Sequence, residues 1–122
     1  DVTGFGLAGH LVEIMSASEL DAELSYARIP RLPNLEGYID QDCVPGGTRR
    51  NYASVKQHLP KLDDHQKAIL CDPQTSGGLL VSVRPESVDA VTTVLRKMGL
   101  PCEPIGHLCA QSGLDSVLTL HE

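Results

Sequence analysis

Proline and glycine cut this chain into short lengths. Pro30 and Pro33, the Pro45-Gly46-Gly47 run, Pro73 with Gly77-Gly78, and Gly99 with Pro101 interrupt any helix or strand that reaches them. Proline lacks the backbone donor and glycine adds conformational freedom, so neither suits the interior of an element. No apolar stretch between the breaks approaches the roughly 20 residues of a membrane-crossing helix. The chain must therefore build its core from short helices and strands.

The apolar periodicity of each length predicts its type. Leu7, Leu11, Ile14 and Met15 fall on one helical face, so residues 6–17 are expected to form a helix with Thr3 as its cap. Ala22, Leu24 and Tyr26 alternate with Glu23 and Ser25, the pattern of a half-buried strand over residues 21–27. A short helix is expected from Asn34 to about Gln41, with Leu35, Tyr38 and Ile39 facing inward. Residues 43–54 read as turns. Asp63 or Asp64 caps a helix reaching Leu70, and Asp63 with Gln66 has the spacing of a capping box. Residues 72–78 read as a loop, and the apolar run Leu79–Val83 as a central, largely buried strand. Pro85 opens the strongest helical pattern, with Val88, Val91, Leu95 and Met98 on one face and Gly99 and Pro101 ending it. Residues 102–109 and 115–121 are expected to form a hairpin around Gln111-Ser112-Gly113. This order implies one domain over 1–122 of the α+β class (α/β layered), a roughly four-stranded mixed sheet with covering helices.

Charge and cysteine usage narrow the function. Ten Lys and Arg stand against 16 Asp and Glu, a net charge of −6, and aromatic residues make up 3% of the chain. A nucleic-acid surface needs a basic face or stacking rings, and neither is present. Neither a nucleic-acid nor a membrane partner is expected. Cys43, Cys71, Cys102 and Cys109 fit no common zinc spacing and no disulfide framework, so reduced, mostly buried thiols in a cytoplasmic protein are expected.

Three polar strings carry the chemistry. The first is Asp1-Val2-Thr3-Gly4-Phe5-Gly6, a carboxylate, a hydroxyl and glycines leading into a helix. It reads either as a capped helix with an exposed acid or as a cation-bearing edge beside a helix start that attracts anions. A chain opening on such a turn is expected to be a piece of something longer, with half an active site. The second is Gly46-Gly47-Thr48-Arg49-Arg50-Asn51. Its guanidinium groups suit phosphate, or else they are solvated on a surface turn. The third is Asp72-Pro73-Gln74-Thr75-Ser76-Gly77-Gly78, a ligand loop or a turn whose side chains satisfy its own backbone. No Ser/His/Asp or Cys/His pattern names a nucleophile. His10 is set apart only because it lies in the first motif.

Taken together in order and spacing, DVTGFGLAGHL at 1–11, VPGGTRRN at 44–51 and DPQTSGGLL at 72–80 resemble the selenophosphate synthetase (selenide, water dikinase) family. The segments ARIPRLP at 27–33 and IGHL at 105–108 extend the resemblance over essentially the whole chain. It implies the C-terminal domain of an enzyme whose N-terminal ATP-binding domain is absent here. That enzyme is a kinase-type transferase making selenophosphate from selenide, ATP and water, with release of AMP and phosphate. The fold implied is that of the C-terminal domain of the aminoimidazole ribonucleotide synthetase-related superfamily, in an enzyme that is a homodimer. By the resemblance, Asp1 joins aspartates of the missing domain in binding Mg2+. Gly46, Gly47, Thr48, Arg49, Asn51, Asp72, Thr75, Ser76, Gly77 and Gly78 line the phosphate-side cleft. None of the four cysteines falls at the family's nucleophile, so no catalytic residue is implied here and the isolated chain is expected to be inactive. The alternatives are a free-standing binding or scaffold domain and a sibling such as thiamine-monophosphate kinase, which should lack DPQTSGG.

Overall fold

Helix α1, Gly6–Ser18, is the element around which the chain packs. The computed structural model describes residues 1–113 and 116–122. Leu7, Ala8, Leu11, Val12 and Met15 of α1 are buried, as the helical spacing predicts. The start differs from expectation. Phe5, not Thr3, occupies the cap position and no side chain caps the helix; the Thr3 hydroxyl lies instead against His10. Glu19 ends the helix in a left-handed conformation, φ 53°, and the chain reverses directly into β1, Leu20–Ser25.

β1 lies in the middle of a three-stranded sheet. β2, Gly106–Ala110, runs antiparallel on one side, and β3, Leu118–His121, runs parallel on the other. Ala22 pairs with Leu108 and with Leu118, so these side chains share the face turned to α1. The predicted hairpin is therefore not formed. Inserting β1 between the two terminal strands lets both bring an apolar residue to the core, which a detached hairpin could not. Asp21 accepts from the backbone and hydroxyl of Ser112 at 2.7 Å each, tying the 111–113 turn to β1 and holding the Asp21 carboxyl below its ordinary range. The start of the predicted 115–121 strand lies outside the described residues.

The fourth expected strand is also absent: among the described residues, Leu79–Val83 joins no ladder. Both edges of β1 are already filled, and Leu79 and Val81 stand 70% and 53% exposed. α5, Val88–Lys97, follows a 3₁₀ turn at Pro85–Ser87 and ends before Gly99, as predicted, yet none of its residues is buried. α2, Leu35–Asp40, forms where expected. Asn34 does not cap it through its side chain, and Tyr38 points outward while Leu35 and Ile39 pack on the core. α4, Asp64–Leu70, carries the predicted capping box: the Gln66 amide donates to Asp63 Oδ1 at 2.8 Å, and the Asp63 amide donates to Gln66 Oε1 at 3.0 Å.

The largest local difference concerns residues 43–54. Gly46–Val55 is a helix, α3, rather than a run of turns. Pro45 is extended just before it, and both glycines fall in the first turn, where proline upstream and glycine at the end cost least. Thr48, Asn51 and Val55, at helical spacing, are its buried residues. The four cysteines are free. Cys71 is buried, Cys102 and Cys109 are half-buried and Cys43 is exposed, so burial is less general than expected.

Candidate functional site

The three polar strings come together although some 70 residues separate the first from the last. Asn51 is the pin. Its buried Nδ2 donates to the carbonyl of Gly4 at 2.8 Å and to that of Cys71 at 3.0 Å, so one α3 side chain fastens both other strings. Backbone bonds complete the junction. The Val2 amide donates to the Gly78 carbonyl at 2.9 Å, and the Gln74 amide donates to the Thr3 carbonyl at 3.1 Å. Such bonds between loops fix geometry, because each loop loses its own freedom only once the other is in place.

Glycine is required at two positions here. Gly6 has φ +73°, and a Cβ would sit 2.8 Å from the Cys71 carbonyl carbon. At Gly77 a Cβ would overlap the Val2 carbonyl oxygen. The Pro73 ring rests on Gly47, joining the third string to α3.

The cleft residues anticipated from sequence divide into two groups. Asn51, Gly47 and Gly77 build the junction itself. Thr48 is buried beside it at 3% exposure, and its hydroxyl finds no hydrogen-bond partner among the described residues. Asp72 is half-buried, and burial pushes its carboxyl above the ordinary value. Gly46, Arg49, Thr75, Ser76 and Gly78 are exposed on the rim. Arg49 lies close enough to Asp64, at the start of α4, for its charge to help lower that carboxyl, whose main partner is Lys67. Cys71 at the junction is an inert thiol, since burial pushes it up to about 11.

Asp1 is exposed at the edge of a hollow of about 300 Å³ that it lines with His10, Glu13, Ile14, Ala17 and Leu80. Among the described residues no three His, Cys, Asp or Glu side chains converge to hold a metal ion. The donor set therefore does not fit a complete resident cation site. One exposed carboxylate does fit the edge of a magnesium site, because Mg2+ is commonly held by one or two carboxylates plus phosphate and water.

Sequence reasoning missed Val2, Gly4 and Gln74, which act through backbone groups. A side-chain inventory contains no signal for them. Asn51 had such a signal, since Thr48, Asn51 and Val55 share helical spacing once residues 46–55 are read as a helix.

Comparison with known proteins places the chain among relatives. The family "AIR synthase related protein, C-terminal domain" matches residues 1–119. A selenide, water dikinase of Pseudomonas putida is 54% identical over 108 residues, 88% of this chain and 31% of that protein. One of Pseudomonas aeruginosa is 51% identical over 114 residues, 93% of this chain and 33% of the relative. One of Photorhabdus laumondii is 45% identical over 122 residues, all of this chain and 35% of the relative. The chain thus spans about a third of the length of these relatives. No helix among the described residues is long and apolar enough to cross a membrane.

Proposed function

Because the chain belongs to the AIR synthase related protein family, as its C-terminal domain, we propose that it forms one wall of the active site of a selenophosphate synthetase. The reaction consumes ATP, selenide and water and yields selenophosphate, AMP and phosphate. The observation that carries this reading is the convergence of the three family strings on Asn51, which joins Gly4 to Cys71. Relatives named selenide, water dikinase supply the chemistry.

In this reading Asp1 offers a carboxylate oxygen to Mg2+, whose other protein ligands come from a domain preceding this one. The cation neutralises charge that builds on the phosphates as phosphoryl groups move. The Asn51 junction holds the Asp1 turn against the 72–78 loop, so the carboxylate is presented from a fixed edge. Gly46, Thr48 and Arg49 at the start of α3, with Thr75, Ser76 and Gly78 on the opposing loop, border the phosphate side of the cleft. The complete enzyme holds ATP mainly on its other domain, is a homodimer and works in the cytoplasm.

The test is selenide-dependent AMP formation. Asp1→Asn in the complete enzyme is expected to lower it at least a hundredfold, in keeping with loss of a ligand to a catalytic cation. The 122-residue chain alone is expected to show none. Wild-type-like turnover by either protein would sink the reading.

A further inference from the structure

We propose that His10 is a positioning residue for the Asp1 turn, acting through the Thr3 hydroxyl with Glu13 behind it. The inference rests on the reading of Asp1 as a magnesium ligand, and it assigns a role to a side chain that the three strings left without one.

The geometry is a line of three groups. His10 Nδ1 lies 3.1 Å from Glu13 Oε2, and His10 Nε2 lies 3.1 Å from Thr3 Oγ1. A carboxylate only accepts, so Nδ1 donates to Glu13, and in the neutral ring the bare Nε2 accepts from the Thr3 hydroxyl. Glu13 thereby sets the tautomer, and the tautomer sets the direction of the Thr3 hydrogen bond. The Phe5 ring lies tilted against the imidazole, with centroids 5.8 Å apart, and restricts its swing. His10 and Glu13 are one helical turn apart on α1, the best-packed helix, so the line has a firm base.

Thr3 is where this line meets the turn. Its carbonyl already accepts from Gly6 at 3.0 Å and from Gln74 at 3.1 Å. With the hydroxyl also held, three bonds fix a residue two positions from Asp1. His10, Glu13 and Asp1 line the same hollow. The Val2 amide, bonded to the Gly78 carbonyl, pins the other side of the turn. Among the described residues no hydrogen bond holds the Asp1 carboxylate itself, so the hold on Thr3 adds to that of Val2 in limiting how far the carboxylate wanders. Groups that orient a metal-bearing side chain from behind typically change metal affinity by about 10–100-fold when removed.

The experiment uses the complete enzyme that contains this chain. His10→Ala is expected to raise the KM for Mg2+ about tenfold or more, while kcat at saturating Mg2+ falls far less. His10→Gln, whose amide offers one acceptor and one donor, is expected to recover most of the loss. Two readouts do not depend on turnover. In nitrogen NMR the neutral form of the His10 ring should show a protonated Nδ1 and a bare Nε2. In His10→Ala, amide exchange in the peptides holding Gly6 and Gln74 should quicken. The opposite tautomer, or unchanged Mg2+ dependence together with unchanged exchange, overturns the proposal. If Asp1→Asn alone leaves the Mg2+ dependence intact, the magnesium reading fails. Exchange at Gly6 and Gln74 then still decides whether His10 fastens the turn.

Discussion

Helices α1 and α5 both carry an apolar stripe at helical spacing, and their surroundings are opposite. In α1 the stripe meets β1, α3 and α4, and Met15 is 1% exposed. In α5 the stripe is more sharply segregated from the polar side, yet Val94 and Met98 stand 56% and 67% exposed, and the helix packs mainly on the 3₁₀ turn before it. Amphipathicity names the face that gains from burial. Whether it is buried depends on a partner elsewhere in the chain. The site follows the same division, since the residues that fasten the three strings all lie on the α1, α3 and α4 side.

The largest expected effect tests this contrast directly. Met15→Ala should cost about 2–5 kcal/mol in urea unfolding, whereas Met98→Ser should stay within about 0.5 kcal/mol. Equal losses would mean that α5 is as well packed as α1, and the contrast would collapse. Next comes Asn51→Ala, which strips the donor from two carbonyls at the junction. A cost of about 1–3 kcal/mol is expected for each acceptor left buried without a partner. A neutral result would break the claim that Asn51 fastens the strings.

The smallest effect concerns α2, which like α5 has no fully buried residue but is held by charge in addition to the packing of Leu35 and Ile39. His65 bridges Glu36 and Asp40 at 3.0 Å each, and Arg31 reaches Glu36 at 2.6 Å. The hydrogen bond to Glu36 is the chief cause raising His65 above its ordinary 6.5, and the same bond lowers Glu36 below its ordinary 4.5. A raised histidine contributes stability below its unfolded value and loses it as pH rises through the folded one. A lowered carboxylate contributes above its unfolded value and loses it as pH falls through the folded one. Protection of the α2 amides from hydrogen exchange, corrected for intrinsic rate, should therefore be greatest between 4.5 and 6.5. It should decline towards alkaline pH, and His65→Ala should abolish the trend. α5 amides, with no such clamp, should show no matching window.

Much of this was legible locally. The stripe of α1, the alternation of Ala22 and Leu24, the Asp63–Gln66 capping box and the stop at Gly99 all depend on residues close in sequence. The polar strings were likewise legible as chemistry. Reading 46–51 as a turn failed because two glycines suggested a break, while Thr48, Asn51 and Val55 already had helical spacing. Reading Leu79–Val83 as a central strand failed because an apolar run says nothing about which edge is free to receive it.

The sequence by itself determined most of the kinds of element and the make-up of the three polar strings, because torsional preference, capping and periodicity act over a few residues. Only the tertiary structure decided that β1 would lie between β2 and β3. It also decided that Asn51 would bridge Gly4 and Cys71, and that His10 would meet Thr3 and Glu13 beside Asp1. Those outcomes depend on which distant groups fill an edge or satisfy a buried carbonyl first, and such pairings gain free energy only when the chain is folded around them.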